Sequence, residues 1–129
     1  MLLVTLNSVI LTPVLGFSYY AATNYRVRMD FEVENIPGVG KTFFTVIFCM
    51  ICEDLTFHLT HRFLHWRVIY PYIHKIHHQY IVVCAIAAEH AHPIESLLGN
   101  VLPVFAGAIV LRQHCHAVAF FAWMFVRIS

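Results

Sequence analysis

Histidine is the residue type through which this sequence could do chemistry. Eight of its ten histidines fall between positions 58 and 92: His58, His61, His65, His74, His77, His78, His90 and His92. Neutral imidazole binds iron, zinc and copper, and several imidazoles without thiolate suit a redox-active iron better than a structural zinc, which prefers cysteine. The alternative is a set of solvated histidines beside lipid headgroups, but the regular spacing favours a metal site.

The first group of histidines has the spacing of one helix face. At about 100° per residue, helical positions 54, 58, 61 and 65 fall within an arc of about 60°. That face carries Asp54, His58, His61 and His65. Metal-bound histidines usually hold a carboxylate or carbonyl on their second ring nitrogen. We therefore expect Asp54, four residues before His58, to orient a ligand.

The second group begins nine residues after His65, with His74, His77 and His78 at i, i+3 and i+4. This spacing again predicts one helix face. Pro71 precedes the group and favours a break between the two helices. Two helices so close in sequence can aim five or six imidazoles at a common point. The prediction is one cavity that contains His61, His65, His74, His77 and His78.

The histidines lie in a chain with the composition of a membrane protein. Of its 129 residues, 60% are hydrophobic and only 12% are charged, and the mean hydropathy is +0.70. Soluble domains usually carry about twice that charged fraction. Eight basic residues against seven acidic ones leave no basic surface for nucleic acid. These numbers predict one integral membrane domain, residues 1–129, and exclude an ordinary soluble domain, a disordered tail and a coiled coil.

The apolar segments predict an all-α membrane bundle of about four membrane helices plus a short histidine-bearing helix. About 20 apolar residues suffice for a spanning helix. An N-terminal helix and loop would occupy residues 1–41, and the histidine-bearing part would occupy 42–129. The predicted membrane helices are 2–22, 42–66, 95–112 and 116–128, and the short helix is 71–80.

The cysteines do not predict a disulfide or a zinc site. Cys49 and Cys52 form a C-x-x-C, but it lies in an apolar run without a second pair. Cys84 and Cys115 are also in apolar surroundings. Free cysteine behaves as a small buried hydrophobic residue, so we expect free thiols.

Four sequence stretches together resemble the fatty acid hydroxylase superfamily, and within it the sterol C4-methyl oxidase branch. They are Glu53-Asp54, the motif from His61 to His65, the motif from Tyr70 to His78, and the motif from Ala88 to Glu95. The resemblance extends from about Cys52 to Arg127. It implies an endoplasmic-reticulum membrane enzyme with a histidine-ligated di-iron centre. Such enzymes use molecular oxygen and reducing equivalents to oxidise an unactivated C–H bond of a sterol or lipid.

The resemblance also implies which residues bind metal. His61 and His65 match the family's first histidine cluster, and the second cluster is matched by His74, His77 and His78. His92 matches a histidine that precedes a proline, and His58 is a further candidate. Asp54 and Glu89 are the carboxylates expected to orient ligands, and Glu95 would share that role if the chain belongs to a working oxidase. The preferred interpretation of Glu53 and Glu95 is that they mark a helix boundary or turn.

The sequence differs at several positions from the sterol C4-methyl oxidases that it resembles. They carry His where this chain has Phe57 and Trp66, and Tyr where it has His90. Their third cluster, an H-x-x-H-H after the fourth membrane segment, would follow Ser129. A di-iron site needs about eight ligand atoms, and six matched histidines are too few. The expectation is therefore one bound metal or none, and no catalytic residue is assigned.

The family resemblance and the positions that differ from it leave two possible functions. The preferred interpretation is a non-catalytic accessory subunit of a larger membrane complex, in contact with membrane lipids and other subunits. Its packing face would consist of Phe120, Phe121, Trp123 and Phe125, which could equally contact lipid. The alternative is an O2-dependent sterol C4-methyl oxidase or fatty acid hydroxylase of which this chain is an incomplete piece. The family implies the endoplasmic reticulum, and an accessory subunit admits the mitochondrial inner membrane.

Overall fold

The computed structural model describes residues 29–79 and 90–128, together with the single positions 5, 9, 13 and 17. Four α-helices occur in these residues: Val39–Leu64 (α1), Pro93–Ser96 (α2), Leu102–Leu111 (α3) and Ala117–Ile128 (α4). Short 3-10 helices cover Val33–Asn35, His74–Gln79 and Arg112–His114, and a π-helix covers Leu97–Val101. This described part contains no β-strand, so the all-α prediction is confirmed there.

Most of the predicted helices are present with small shifts. The predicted helix 42–66 is α1, the predicted helix 95–112 is the continuous run from α2 to α3, and the predicted helix 116–128 is α4. The short helix predicted for 71–80 is the 3-10 helix at His74–Gln79. The N-terminal helix predicted for 2–22 lies outside the described residues, apart from four isolated positions.

Two helical segments among the described residues are long and apolar enough to cross a membrane, 39–64 and 93–114. The apolar helix at 117–127 is shorter, so the prediction of four membrane helices is not confirmed. Within α1 only Thr45, Cys49 and Leu64 are buried by the chain itself. The remaining apolar surface of α1, which includes Phe44 and Ile51, is of the kind that lipid covers.

The core lies where α1, α3 and α4 meet. Its buried members are Cys49, Val104, Ala108, Cys115, Phe120 and Trp123. Gly107 of α3 permits a close approach to α1, because a Cβ there would lie 2.7 Å from Cys49 Sγ and 2.8 Å from Cys49 Cα. Small residues at a helix contact let backbones pack closely in membranes, and Gly107 fills that role here.

The core also corrects the interpretation of the aromatic residues in α4. Phe120 and Trp123 are buried in the chain's own core, so they are not available as a packing face for a partner. Phe121 and Phe125 are exposed. At the end of α4, Arg127 Nε donates to Glu53 Oε1 at 2.7 Å, which ties this helix to the middle of α1.

A histidine outside the main group attaches the segment before α1 to the start of α4. The backbone of Asp30 pairs with that of His116 in an isolated bridge. The His116 ring accepts the Val118 N–H at Nδ1 (3.1 Å), and its Nε2 lies 3.1 Å from the Glu32 carbonyl oxygen. Because Nδ1 accepts, Nε2 carries the proton and donates to Glu32. His116 therefore caps α4 and holds the preceding segment in place.

Candidate metal site

Four histidines converge where α1 ends and the 3-10 helix begins. The Nε2 atoms of His61 and His65 are 3.2 Å apart, those of His65 and His74 are 3.1 Å apart, and those of His74 and His78 are 3.0 Å apart. All four ligand atoms lie within 4.8 Å of one another. The structure thus brings together four of the five histidines that were predicted to share a cavity.

The chain between the two histidine groups turns back over a short distance. His65 is the residue at which α1 ends, and its backbone N–H bonds to the His61 carbonyl. A series of turns follows, and the Lys75 N–H returns to the Tyr70 carbonyl at 2.9 Å. The Tyr70 ring stacks on His65 with centroids 5.6 Å apart. This packing restricts the His65 ring and keeps the end of α1 close to His74.

His77 is absent from the group of converging nitrogens, and the helix that carries it is not the predicted α-helix. The prediction assumed 3.6 residues per turn, but His74–Gln79 forms a 3-10 helix. With 3.0 residues per turn, positions i and i+3 eclipse each other. The rings of His74 and His77 accordingly stack, with centroids 5.7 Å apart and an interplanar angle of 19°. His78 rather than His77 reaches the His74 nitrogen, and metal binding by His77 stays a prediction.

The two further candidates lie apart from the converging nitrogens. His58 is exposed on α1. His92 is the N-cap of α2, and its Nδ1 accepts the Ile94 N–H at 3.2 Å. The local role of His92 is therefore to begin the helix that Pro93 continues. Neither residue belongs to the group of four.

The carboxylate at the histidine group is Glu95. Its Oε1 lies 2.6 Å from His74 Nδ1, and the side chains of His74 and Glu95 are 0% and 7% exposed. A carboxylate on Nδ1 fixes the proton there and leaves the Nε2 lone pair for a metal. The interpretation of Glu95 as a helix-boundary residue was therefore incomplete.

The carboxylates predicted for this role are placed differently. Asp54 is exposed on α1 and makes no hydrogen bond to a histidine in residues 29–79 or 90–128. Glu89 lies outside the described residues. Glu95 was the less favoured candidate because 21 residues separate it from His74 and helix periodicity cannot relate them. The available signal was its place in the first turn of a helix that begins beside the second histidine group.

Burial keeps His74 uncharged near neutral pH. Desolvation, together with the neighbouring charges of His61 and His65, lowers the pKa of His74 to about 4. Burial also lowers the pKa of His77, with His78 as a second cause. Metal binding requires a neutral imidazole with a free lone pair, so the surroundings of His74 favour the form that binds.

The distances between neighbouring nitrogens of the group fit two ligands on one transition-metal ion. With metal–nitrogen distances near 2.1 Å, two ligand atoms lie about 3.0 Å apart at a right angle and about 3.4 Å apart at a tetrahedral angle. The three observed neighbour distances, 3.0, 3.1 and 3.2 Å, fall in that interval. An all-imidazole set without thiolate is compatible with iron. Neighbouring histidines of this group could therefore share one iron ion, whereas all four, which extend over up to 4.8 Å, would have to draw in to about 4.2 Å, twice the metal–nitrogen distance.

A cleft of about 150 Å³ opens beside this site. One side consists of α1, and the other side includes the π-helix Leu97–Val101. The lining residues are Phe57, His61, Leu64, His77, Ala91, Glu95, Gly99 and Asn100. Single π-turns are frequent at functional sites because they shift the helix register. Here the π-helix supplies Gly99 and Asn100 to the cleft.

Comparison with known proteins agrees with this combination of apolar helices and clustered histidines. The model of the fatty acid hydroxylase family matches residues 46–129, and the chain belongs to that family. Family membership and the apolar helices indicate a membrane protein, and its histidine cluster is of the iron-binding type. The family assignment made from the histidine motifs is thereby confirmed. No solved structure matches the chain.

The curated relatives include enzymes of both kinds that the resemblance implied. The chain is 32% identical to a fatty acid hydroxylase of Mycosarcoma maydis over 111 residues, 86% of this chain and 29% of that protein. It is 33% identical to methylsterol monooxygenase 1 of Rattus norvegicus over 116 residues, 90% of this chain and 38% of that protein. The chain thus spans less than two fifths of the length of either relative.

Of the two functions considered from the sequence, these relatives favour the enzyme. One is named a fatty acid hydroxylase and the other a methylsterol monooxygenase, which fits the enzyme alternative. The preferred interpretation, a non-catalytic accessory subunit, has no support among them. A mitochondrial location has none either.

Proposed function

We propose that the chain forms the iron-binding part of a membrane-bound, O2-dependent lipid hydroxylase of the sterol C4-methyl oxidase type. The observation that carries the proposal is the convergence of four Nε2 atoms within 4.8 Å at the end of a helix able to cross a membrane. Bound iron would supply the capacity to activate molecular oxygen toward an unactivated C–H bond. The endoplasmic reticulum is the proposed membrane.

The protein side chains have distinct tasks in this proposal. His61, His65, His74 and His78 bind iron, and Glu95 holds the His74 ring in the binding orientation through the 2.6 Å contact. Phe57 stacks on His61 with centroids 5.4 Å apart and limits the movement of that ring. A site whose ligands are fixed beforehand binds metal in one geometry.

The surroundings suit a substrate that reaches the site from the bilayer. The histidines lie at the C-terminal end of α1, whose 26 residues span about 39 Å at 1.5 Å per residue. This length exceeds the hydrocarbon core of about 30 Å, so the site lies near the membrane boundary. Phe57, Leu64 and Ala91 give the adjacent cleft an apolar lining, which suits the hydrocarbon part of a sterol or acyl lipid.

The test combines metal content with oxygen consumption. Protein purified in lipid nanodiscs is assayed for iron by elemental analysis, and membranes that contain it are assayed for O2 uptake with a 4-methylsterol and with a fatty acyl lipid. We expect bound iron, and faster uptake with the sterol. His65→Ala should lose both, and the exposed His58→Ala serves as the matched control. Protein without iron that also leaves O2 uptake unchanged would overturn the proposal.

A further inference from the structure

Two thiols of the core are in direct contact, although they come from different parts of the chain. Cys49 belongs to α1 and Cys115 to the turn that precedes α4, and their side chains are hydrogen-bonded to each other. Both are free thiols in the structure, and they are 1% and 0% exposed. On the side of α3, a Cβ at Gly107 would lie 2.7 Å from Cys49 Sγ. The two sulfur atoms therefore meet inside the apolar core.

The backbone of Cys115 is held on both sides. Its N–H donates to the Arg112 carbonyl at 3.0 Å, and its own carbonyl accepts the Asp30 N–H at 3.1 Å. Arg112 has φ 52° and ψ −127°, and it is the one non-glycine residue with positive φ in the part of the chain that the structure describes. Strained backbone persists only where the surrounding structure holds it. The turn thus keeps Cys115 against α1.

Cys49 has a second cysteine nearby, but helix geometry excludes that partner. Cys52 lies three residues later on α1, and side chains with this spacing have Cβ atoms about 5–6 Å apart. A disulfide needs Cβ atoms about 3.5–4.5 Å apart, so the C-x-x-C cannot close while α1 stays helical. Cys84 lies outside the described residues. Among the described residues, Cys115 is therefore the partner that the geometry favours.

We propose that Cys49 and Cys115 form a disulfide that links α1 to the start of α4. The oxidant is a protein disulfide or glutathione disulfide, which an oxidising compartment such as the lumen of the endoplasmic reticulum supplies. One cysteine thiolate attacks a sulfur of this donor, forms a mixed disulfide and releases one donor thiolate. The other cysteine thiolate attacks the protein sulfur of the mixed disulfide and releases the second donor thiolate. The two protons that the cysteines lose pass to the donor thiolates, so the donor gains the two electrons that the pair gives up.

Burial determines when this bond forms and how long it lasts. A protein or glutathione disulfide cannot reach thiols inside the packed core, so the exchange takes place before α4 packs on α1. After packing, the same burial keeps reductants away from the bond. The segment between the two cysteines contains the four converging histidines, but His65 lies about 24 Å along α1 from Cys49, at 1.5 Å per residue. The link therefore constrains the unfolded chain without touching the metal site, and the inference does not depend on iron.

The first test identifies the bond in protein produced in endoplasmic-reticulum membranes. The membranes are dissolved in SDS with N-ethylmaleimide, which blocks every free thiol, and the peptides are compared by mass spectrometry with and without reduction. We expect the Cys49 and Cys115 peptides to be joined in most chains and Cys52 to be blocked. Because Cys49 and Cys52 share a peptide, Cys52→Ala is the matched control and should leave the link intact. Blocked Cys49 and Cys115, or a link from either of them to Cys52 or Cys84, would overturn the inference.

The second test measures the effect of the link on stability. Unfolding in guanidinium is followed by helix circular dichroism in detergent, with and without reductant. A disulfide that closes a long loop shifts the unfolding midpoint by about 1 M guanidinium, and we expect a shift of that size between oxidised and reduced wild-type protein. Cys115→Ala should not respond to reductant, whereas Cys52→Ala should keep the full shift.

The outcomes separate this inference from the proposed function. Equal midpoints for oxidised and reduced wild-type protein would show that no link ties the two elements and would overturn the inference. If Cys115→Ala fails to fold, the comparison of the two wild-type forms still decides. A linked protein without iron would remove the proposed function and support the disulfide, whereas an iron-loaded, active protein with both thiols free would do the reverse.

Discussion

His74 Nδ1 and Glu95 Oε1 lie 2.6 Å apart, although 21 residues separate them in the chain. Both side chains are buried, and the opposite nitrogen of His74 points toward His65 and His78. The contact joins the helical run that begins at Pro93 to the histidine group at the end of α1. A carboxylate in this position both orients the ring and makes it a better electron donor to a metal. The metal affinity of the site should therefore depend on Glu95, a residue that does not itself bind the metal.

Replacement of Glu95 should weaken metal binding in a graded way. Loss of such an outer partner typically lowers metal affinity about 10- to 100-fold, and we expect Glu95→Ala to fall in that range. Glu95→Gln should lose less, because its amide oxygen still accepts from His74 Nδ1. Affinities are measured by Co²⁺ titration followed by absorbance. Asp54→Ala is the control, since Asp54 is exposed; a larger effect there would restore Asp54 to the role expected from the sequence.

The four converging histidines should be separable from their neighbours by metal stoichiometry. His65 contacts both His61 and His74 through Nε2, so His65→Ala removes the middle of the group. We expect bound metal per chain to drop by at least about tenfold at a fixed free concentration, since the remaining three imidazoles also lose their geometry. The exposed His58→Ala and His114→Ala should retain the metal. Equal losses in all three variants would contradict the assignment.

Two pairs of histidines show how much of the candidate site could be predicted from the sequence. His61 and His65 lie four apart on one helix, so their convergence follows directly from the 3.6-residue repeat. His74 and His77 also have helical spacing, yet the local helix is 3-10 and stacks their rings. Only the chain's conformation after Pro71 decides between these geometries. Periodicity within one element is therefore predictable, whereas the type of a six-residue helix depends on tertiary contacts.

The contacts between helices that are distant in the chain could not be predicted from the sequence either. Phe120 and Phe121 are adjacent aromatic residues of one helix, but the first is buried in the core and the second is exposed. Hydropathy assigns them the same preference. In a membrane protein both the core and the lipid-facing surface are apolar, so polarity cannot tell which side of α4 packs on α1 and α3. The count of membrane helices is uncertain from sequence for the same reason, because apolar content does not set helix length.

The contact of Gly107 with Cys49 should make that position intolerant of any side chain. The added Cβ of Gly107→Ala would lie 2.8 Å from Cys49 Cα, a backbone atom that cannot rotate away. We expect a loss of about 1–3 kcal/mol in the free energy of unfolding, the usual range for overpacking, measured by denaturant titration in detergent. Cys49→Ala should not rescue it, since the Cα remains. Gly40→Ala, whose Cβ meets no atom within 4 Å, is the control and should not destabilise.

The last prediction concerns His116, which lies far from the metal site but ties two parts of the fold together. His116→Ala removes both the cap on the Val118 N–H and the hydrogen bond to the Glu32 carbonyl. Loss of an N-cap costs about 0.5–2 kcal/mol, so we expect destabilisation in that range. His116→Asn should recover the capping part, because Asn is a favoured N-cap residue, but it is too short to replace the bond to Glu32. Hydrogen exchange should then be faster at the Asp30 and Ala117 amides in His116→Ala than in the control His114→Ala, whose parent side chain is exposed. If His116→Asn and His116→Ala have the same stability, the cap contributes nothing and the bond to Glu32 is the main tie.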